Sequence, residues 1–332
     1  MRKVFVLFLF FLTGLINGMD AFGASQKQEQ DQEQEQEIAL GDLQQCHFTE
    51  NNLCQSETSG GHETTIFSTG DGFCAKKYNY NLDKNKREVQ FYLEFCNPLK
   101  EPQREKKEIC SFIPRFGGFC RDQEGVLYIK MENLKQGLQK VRELDVKIGK
   151  YTAVEQELVG AGMDLCQAKA KVMIHFFKDM LTTSNWRNYR IAGRSEDGDG
   201  DSEGEGEGEG KRKKSYKKKI FYRFSLGINP NASFKHFLKF DRNGLVKKCF
   251  ENKLSQFAAL LDKGSEFAKY DLVGASLLFI YDADAEVAAV DHACSLHLID
   301  FAHTLINEEE ESLLKRTFKI GVQNLREDWA RN

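Results

Sequence analysis

The sequence lacks the short motifs that mark several large enzyme classes. It contains no GxxxxGK[ST] loop, no GxGxxG after a strand-like run and no HRD segment, so the protein is neither a P-loop NTPase nor an ordinary protein kinase. HExxH, GxSxG and any Cys/His cluster with metal-ligand spacing are missing as well. The formal net charge is only −3, so the overall composition does not point to nucleic acid or an anionic membrane as a partner. Any anion site must come from local clustering of basic residues.

Cysteine is present but shows no recognisable pattern. The chain has nine cysteines, which is an odd number. No CxxC motif occurs, and several of the cysteines lie inside apolar runs. This distribution predicts buried thiols rather than a disulfide framework or a zinc site, and it leaves a Cys46–Cys54 bridge open.

The N-terminus has the layout of a secretory signal. Arg2 and Lys3 precede about thirteen apolar residues, and small residues follow in AFGAS. We therefore expect residues 1–25 to be a signal peptide and the chain to be exported, because the apolar run is shorter than a transmembrane helix requires. A membrane-anchored or cytoplasmic protein is the alternative. Residues 26–40 are polar and Gln/Glu-rich, and this composition predicts disorder.

Short apolar and alternating runs follow, with longer helical patterns behind them. Between residues 41 and 134 the runs predict a small, mainly antiparallel sheet with a helix around Lys86–Phe95. Further along, the patterns predict helices within 150–190 and at 244–261. SLLFIYD and the apolar run that ends at Asp300 are expected to be strands.

A low-complexity charged segment spans residues 194–219. SEDGDGDSEGEGEGEG holds eight acidic residues, and KRKKSYKKK at 211–219 holds seven basic ones. Alternating glycine prevents a packed structure, so we interpret the pair as a solvated, self-neutralising surface loop. The basic half leaves binding to polyanions open, including an anionic membrane.

Charged residues on predicted strands and helices suggest an anion site. Asp300 follows the apolar strand SLHLI, and a carboxylate buried there needs a partner. In RELDVKIG, Asp145 and Lys147 alternate with apolar residues and therefore share one face of a strand. On the next helix three basic residues form one stripe: Lys171, His175 and Lys178. Such a stripe could bind phosphates through its positive charge. The structural alternatives are that RELDVKIG is an edge strand with a charged outer face and that the stripe is an ordinary solvated helix face.

Two further places offer cations. Lys76 follows the strand-like GFCA, and Glu88 lies at the start of a predicted helix in NKREVQFY. In protein kinases a helix glutamate holds a strand lysine that contacts the nucleotide phosphates. By analogy, we expect Lys76 to pair with Glu88. Arg190, in TTSNWRNYRIAG, is a cation that could clamp a phosphate through two hydrogen bonds.

Taken in order, these segments resemble the inositol polyphosphate kinase family. VRELDVKIG is similar to the family signature PxxxDxKxG, ASLLFIYD to its SSLL block, and IDFAHT to its IDF motif. KREVQFY, FIPRFGGF, YIKMENL, TTSNWRNYRIAG and FKIGVQNL resemble further family segments. Val141, Asn188 and Ala275 depart from the Pro, Gly and Ser that are usual there. The matches run in order from about residue 64 to 326, and their order makes the set specific.

The resemblance implies a nucleotide site. Lys76 would contact the nucleotide phosphates and Glu88 would steady it. Glu132 and Leu134 would offer backbone groups to adenine at a hinge. Asp145 would accept hydrogen bonds from the ribose hydroxyls.

The resemblance also implies a catalytic centre and a substrate site. Lys147 would lie beside the acceptor and the transferring phosphate, and Asp300 would ligate Mg²⁺. The residues implied to bind substrate are Lys147, Lys171, His175, Lys178, Arg190 and His303. Ser276 is a weaker candidate, for which a structural role is favoured.

The implied fold is α+β, two-lobed and distantly similar to protein kinases. It has a sheet-rich N-lobe at 41–134 and a larger C-lobe at 135–332, with inositol-binding helices at 150–190. The implied reaction is the phosphorylation of inositol polyphosphates with ATP and Mg²⁺, with no nucleic-acid partner. A catalytically weak inositol-phosphate-binding protein and a phosphoinositide lipid kinase docked through 211–219 are the alternatives. Because ATP and inositol phosphates are intracellular, an exported kinase would be delivered into another cell or act in a secretory compartment.

Overall fold

A computed structural model of the protein describes these residues: 44–48, 66–79, 82–96, 108–160, 163–194, 228–241, 243–262, 269–285, 294–307, 309 and 311–332. The predicted signal peptide and the Gln/Glu-rich segment lie outside the described residues. The charged loop also lies outside them, apart from Arg194 at its first position.

Five short strands form the first sheet: β1 (Gln44–Gln45), β2 (Ile66–Ser68), β3 (Phe73–Lys77), β4 (Phe116–Arg121) and β5 (Leu127–Glu132). Their order is β1-β4-β5-β3-β2, and only β1 and β4 run parallel. Between β3 and β4 lie helix α1 (Asp83–Phe95) and a 3-10 helix (Glu108–Phe112). The predicted antiparallel sheet with a helix is confirmed. The helix begins earlier than expected, and Asp83 in its first turn complements the helix dipole.

Four antiparallel strands form the second sheet: β6 (Val141–Ile148), β7 (Tyr189–Arg194), β9 (Ser276–Asp282) and β10 (Cys294–Ile299). Their order is β10-β9-β6-β7. Two further strands pair with each other, β8 (Tyr270–Leu272) and β11 (Thr304–Ile306). The predicted strand SLLFIYD is therefore β9, and the predicted strand before Asp300 is β10.

Helices connect and cover the strands of the second sheet. They are α2 (Glu155–Gly160), α3 (Leu165–Met180), α4 (Ser184–Arg187), α5 (Pro230–Phe237), α6 (Leu245–Asp262) and α7 (Leu313–Arg331). Two short 3-10 helices span Leu238–Phe240 and Phe301–His303. The helices predicted within 150–190 and at 244–261 are confirmed as α2 to α4 and α6. No helix in the described ranges is both long and apolar enough to cross a bilayer.

Strand alternation gives the second sheet one core face. On β6, Leu144, Val146 and Ile148 are fully buried, as the period-2 pattern predicts. From α7, Trp329 stacks on Phe279 of β9 with ring centroids 5.1 Å apart. The opposite face of β6, which carries Asp145 and Lys147, is therefore left for polar contacts.

Helix α1 joins the first sheet to the end of β10. Phe91 stacks on Phe301 with ring centroids 3.9 Å apart, and Tyr92 meets the same ring edge-on. The Arg87 Nε donates to the Ala302 carbonyl at 3.4 Å. These contacts fix α1 against the residues that directly follow Asp300.

The prediction of buried thiols is wrong, because most of the described cysteines are paired. Three bridges have both ends among the described residues: Cys46–Cys120, Cys96–Cys110 and Cys249–Cys294. Cys46 therefore does not pair with Cys54. Cys74 is disulfide-bonded too, and within the described part of the chain the exposed Cys166 is the free thiol. Bridged partners lie up to 74 residues apart, so only the folded chain brings them together.

Candidate active site

A lysine and a glutamate from the first sheet and its helix form a close ion pair. Lys76 on β3 donates through its Nζ to both carboxylate oxygens of Glu88 on α1, at 2.9 and 2.7 Å. Both side chains are mostly buried. Burial lowers the pKa of Lys76, but the Glu88 carboxylate and the charge of Asp300 raise it above its ordinary value. The predicted pairing is thus present, and it holds a charged lysine beside Asp300.

A second lysine is anchored where β6, β9 and the end of β10 meet. The Lys147 Nζ donates to the Gly274 carbonyl at 2.8 Å, to the Ser276 hydroxyl at 2.9 Å and to the Asp300 carboxylate. Lys147 lies directly opposite Ser276 in the ladder between β6 and β9. An ammonium group has three donors, and here all three have acceptors. The charge of Lys147 is therefore fixed in position by acceptors from two other segments, residues 274–276 and Asp300.

Asp300 has an unusual backbone for a non-glycine residue. Its φ is 70°, in the left-handed region that aspartate tolerates better than most residues. Its side chain is 46% exposed, so the carboxylate remains open on one side. Desolvation raises the pKa of Asp300, but Lys147, with help from Lys76 and His303, lowers it below its ordinary value. Asp300 is therefore an ionised carboxylate with free coordination capacity.

Asp145 is the buried member of the cluster. It is 6% exposed, and its Oδ1 has no hydrogen-bond partner in the structure. Burial raises the pKa of Asp145 above its ordinary value, with Asp300 adding to the effect and Lys147 opposing it. A buried acceptor without a partner is uncommon and calls for an explanation. A ligand that brings a hydrogen-bond donor is one.

Arg190 does not point freely into solvent. It is buried on β7, and its Nε faces the carboxylate of Asp179 on α3 at 3.5 Å. Asp179 also accepts from the Thr152 backbone N–H at 2.9 Å and from its hydroxyl. Thr152 in turn lies 3.2 Å from His175 Nδ1. This network ties α3 to β7 and places Arg190 beneath the helix, so its role in substrate binding stays a prediction.

The structure assigns the remaining predicted residues to particular elements of the fold. Lys171 and Lys178 are on α3 with His175, as the stripe predicts, and Lys171 is partly buried. Glu132 ends β5 and pairs with Arg115, while Leu134 follows in the turn that leads to β6. His303 ends the 3-10 helix after Asp300. The structure gives their positions, and their contacts with ligands stay predictions.

Sequence reasoning missed three residues of the site: Thr152, Asp179 and Gly274. Thr152 and Asp179 have no motif, and their importance follows only from contacts between α3 and β7. Gly274 has a φ of +65°, and a Cβ there would lie 3.2 Å from the Thr152 carbonyl. Glycine therefore allows the close approach that presents the Gly274 carbonyl to Lys147.

Metal ligands are sparse in this cluster. Among the described residues, no group of three or more His, Cys, Asp or Glu side chains could hold a metal ion. Asp300 is the open carboxylate beside the two lysines. A metal at this place would take most of its ligands from a bound molecule and from water, as Mg²⁺ does at phosphates.

The sequence matches the model of one known protein family. The family model described as inositol polyphosphate kinase matches residues 128–327, which is 200 of the chain's 332 residues. The chain belongs to the inositol polyphosphate kinase family. The resemblance drawn from the sequence is thus confirmed, and membership supports an inositol phosphate kinase activity. No curated protein sequence matches the chain significantly.

Two solved structures show which known folds are similar to that of this chain. The inositol phosphate multikinase Ipk2 of S. cerevisiae, in complex with ADP and Mn²⁺, has a TM-score of 0.52 and 20% identity. The match covers 74% of this chain and 95% of the yeast chain. A second inositol phosphate multikinase structure has a TM-score of 0.47 and 18% identity, over 74% of this chain and 98% of that one. The likeness to the yeast protein confirms the predicted α+β, two-lobed, kinase-like fold.

Proposed function

We propose that the protein is an ATP-dependent kinase that uses Mg²⁺ and phosphorylates inositol polyphosphates. One observation carries the proposal: Lys147, Ser276 and Asp300, from three distant segments, are joined by hydrogen bonds. The charge of Lys76 acts on the same Asp300. Phosphoryl transfer asks a protein for positioning and for positive charge around phosphate oxygens. This cluster supplies both.

The nucleotide would lie between the two sheets. Lys76, kept charged and oriented by Glu88, binds its phosphates. The unpartnered Oδ1 of Asp145 fits a ribose hydroxyl, because a hydroxyl donates the hydrogen bond that this buried acceptor lacks. Glu132 and Leu134 lie at the connection between the sheets, where backbone groups reach a base.

The donor set fits Mg²⁺ that is shared with the nucleotide. Mg²⁺ commonly binds one or two protein carboxylates and completes its shell with phosphate oxygens and water. Asp300, ionised and half-exposed, is such a carboxylate. When bound, the ion neutralises charge on the phosphate oxygens. Lys147 has two further acceptors, the Gly274 carbonyl and the Ser276 hydroxyl, and these would hold it in place if Asp300 bound a metal ion.

The acceptor would bind between Lys147 and α3. An inositol hydroxyl, or an existing phosphate in a pyrophosphate-forming enzyme, attacks the γ-phosphorus, and the bond to the leaving ADP oxygen breaks. Lys147 offsets the negative charge of the transferring group. The basic side chains proposed to hold the substrate phosphates are Lys171, His175, Lys178, Arg190 and His303.

Product profiling tests this proposal. The protein is incubated with Mg²⁺, ATP and inositol tris-, tetrakis-, pentakis- or hexakisphosphate, and ADP and inositol products are both quantified. We expect stoichiometric transfer by the parent and a loss of at least about 100-fold in Asp300→Asn. Asp284→Asn is the matched control, since Asp284 is an exposed carboxylate away from the cluster. ADP release that does not depend on any inositol phosphate would overturn the proposal, and so would an active Asp300→Asn variant.

We also propose that the protein acts after export. The described disulfides support this, because such bridges persist in oxidising compartments and are rare in the cytosol. Intact mass and N-terminal sequencing of protein from its native source provide the test. Loss of residues 1–25, with the Cys46–Cys120, Cys96–Cys110 and Cys249–Cys294 bridges formed, is expected. An untrimmed, fully reduced protein in the cytosol would contradict export.

A further inference from the structure

A histidine with no assigned role lies on the same sheet face as Asp145. His297 is on β10, where buried and partly buried residues alternate and the core side is taken by Leu296 and Leu298. Leu278 of β9 is the ladder partner of Asp145 on one side and of His297 on the other. The three residues form one row across β6, β9 and β10. Since adjacent strands lie about 4.8 Å apart, the ends of the row are about 10 Å apart.

Both ends of this row carry an unsatisfied polar atom. Asp145 Oδ1 and His297 Nδ1 are buried and have no hydrogen-bond partner in the structure. Leaving such atoms unpaired is costly, and most buried polar side-chain atoms in proteins have a partner. A single elongated polar molecule lying across the row would give both atoms a partner.

The surroundings of His297 place it toward the hinge. The negative charge of Glu132, at the end of β5, raises the pKa of His297, and the positive charge of Lys253 on α6 lowers it. Burial outweighs Glu132 and lowers the pKa of His297 to about 4. The imidazole is therefore neutral at physiological pH, with one donor and one acceptor nitrogen. A neutral ring suits a neutral partner, such as the edge of a heterocyclic base.

We propose that His297 contacts the base of the bound nucleotide and hydrogen-bonds a purine edge through Nδ1. This inference rests on the proposed function, in which Asp145 holds the ribose of the same nucleotide. A nucleoside is long enough to touch both ends of the row, with the sugar at Asp145 and the base at His297. Leu278, between them, supplies the apolar surface on which the molecule lies.

Binding measurements on two ligands test the proposal. Dissociation constants are measured by calorimetry for ATP and for inorganic tripolyphosphate, which has neither base nor ribose. His297→Leu should weaken ATP binding about 3- to 10-fold, the size of one hydrogen bond, and leave tripolyphosphate binding unchanged. His297→Asn keeps a polar atom near the Nδ1 position and should retain most of the affinity. Ser295→Ala, on the same strand and face, is the matched control.

The outcomes separate this inference from the proposed function. If the parent binds tripolyphosphate but ATP no more tightly, both the ATP proposal and the role of His297 fail. If the parent prefers ATP and His297→Leu keeps that preference, only the role of His297 fails. Equal weakening of both ligands would mean that His297 supports the structure of the protein, and this too would overturn the proposal. If His297→Leu does not fold, His297→Phe, which keeps an aromatic ring and removes both nitrogens, replaces it with the same expected result and the same contrary outcomes.

Discussion

The two halves of the proposed cleft hold their charged groups in different ways. In the nucleotide half, Lys76 and Lys147 each meet a carboxylate that comes from another element of the fold. In the acceptor half, Arg190 is turned inward to Asp179. The outer side of α3 is largely apolar, and its exposed large side chains are Met173, Ile174, Phe176, Phe177 and Met180.

This difference indicates which half is organised before ligands bind. Lys76 is fixed by Glu88 of α1, and Lys147 by Asp300, Ser276 and the Gly274 carbonyl, so neither position depends on α3. The acceptor half depends on where α3 lies as a whole, and the network around Asp179 determines that. Substitutions in the nucleotide half should therefore lower kcat. Substitutions in the acceptor half should reduce both the stability of the protein and its affinity for the inositol polyphosphate.

The largest effect is expected from Lys147→Ala, which removes charge from the nucleotide half. We expect kcat to fall about 100- to 1,000-fold, as when one pre-organised group at a transition state is lost. ADP release at saturating ATP and inositol polyphosphate measures it. Lys140→Ala is the control, because Lys140 is a half-exposed lysine outside the cluster. Similar kcat values for the two variants would remove Lys147 from the chemistry.

Asp179→Ala should destabilise the protein most. Removing one partner of a buried pair leaves Arg190 and Thr152 unsatisfied, at a cost of about 3 kcal/mol in the free energy of unfolding. Because α3 then loses its anchor, the KM for the inositol polyphosphate should rise while the KM for ATP stays the same.

Urea unfolding and both KM values are compared with those of Asp164→Ala. Asp164 caps the N-terminus of the same helix and accepts from the Gln167 N–H, so its loss should cost only about 1 kcal/mol. If Asp179→Ala raised the KM for ATP as much as that for the acceptor, the two halves would not be independent.

The sequence predicted the parts of the fold and site that local pattern determines. Alternation along VRELDVKIG correctly put Asp145 and Lys147 on one strand and away from the core side. The analogy with protein kinases predicted the Lys76–Glu88 pair, because strand and helix follow each other closely in the chain. These features follow from the two-residue period of a strand and from the short connection between neighbouring elements, and both can be recognised in a single sequence.

Contacts between distant segments could not be predicted in this way. The Cys46–Cys120 bridge and the Asp179 contacts join elements whose approach is set by the packing of the whole chain. The resemblance implies a metal ion at Asp300, and this stays a prediction. The ion pair between Asp300 and Lys147 was not predicted, because 153 residues separate the two in the sequence. His297 carries no motif, and only strand register aligns it with Asp145.

Acid should weaken the fold through the nucleotide half. His297 has a folded-state pKa of about 4, below the ordinary value of 6.5, so between those pH values the unfolded chain binds a proton that the folded chain does not. This contribution to stability is complete above pH 6.5 and is lost as the pH falls toward 4. It corresponds to about 2 kcal/mol between pH 7.5 and pH 5.

The measurement is the unfolding free energy at both pH values for the parent and for His297→Leu. Glu132 and Lys253 act on His297 and remain in both proteins, so their own pH dependence largely cancels in the difference. The variant should lose less stability on acidification. Identical losses would mean that His297 is not the buried neutral group that its surroundings indicate.

The smallest effect is expected from Glu88→Gln, which preserves shape and removes one charge. Lys76 keeps a hydrogen-bond acceptor but loses the carboxylate that offsets burial, so its pKa should fall. The KM for ATP should rise about tenfold, and it should depend on pH. Because a deprotonated Lys76 no longer attracts phosphate, the loss of ATP binding on raising the pH should begin at a lower pH in the variant than in the parent. Asp83→Asn, a carboxylate change in the first turn of the same helix, controls for general effects on α1. A raised KM that does not depend on pH would mean that Glu88 positions Lys76 without maintaining its charge.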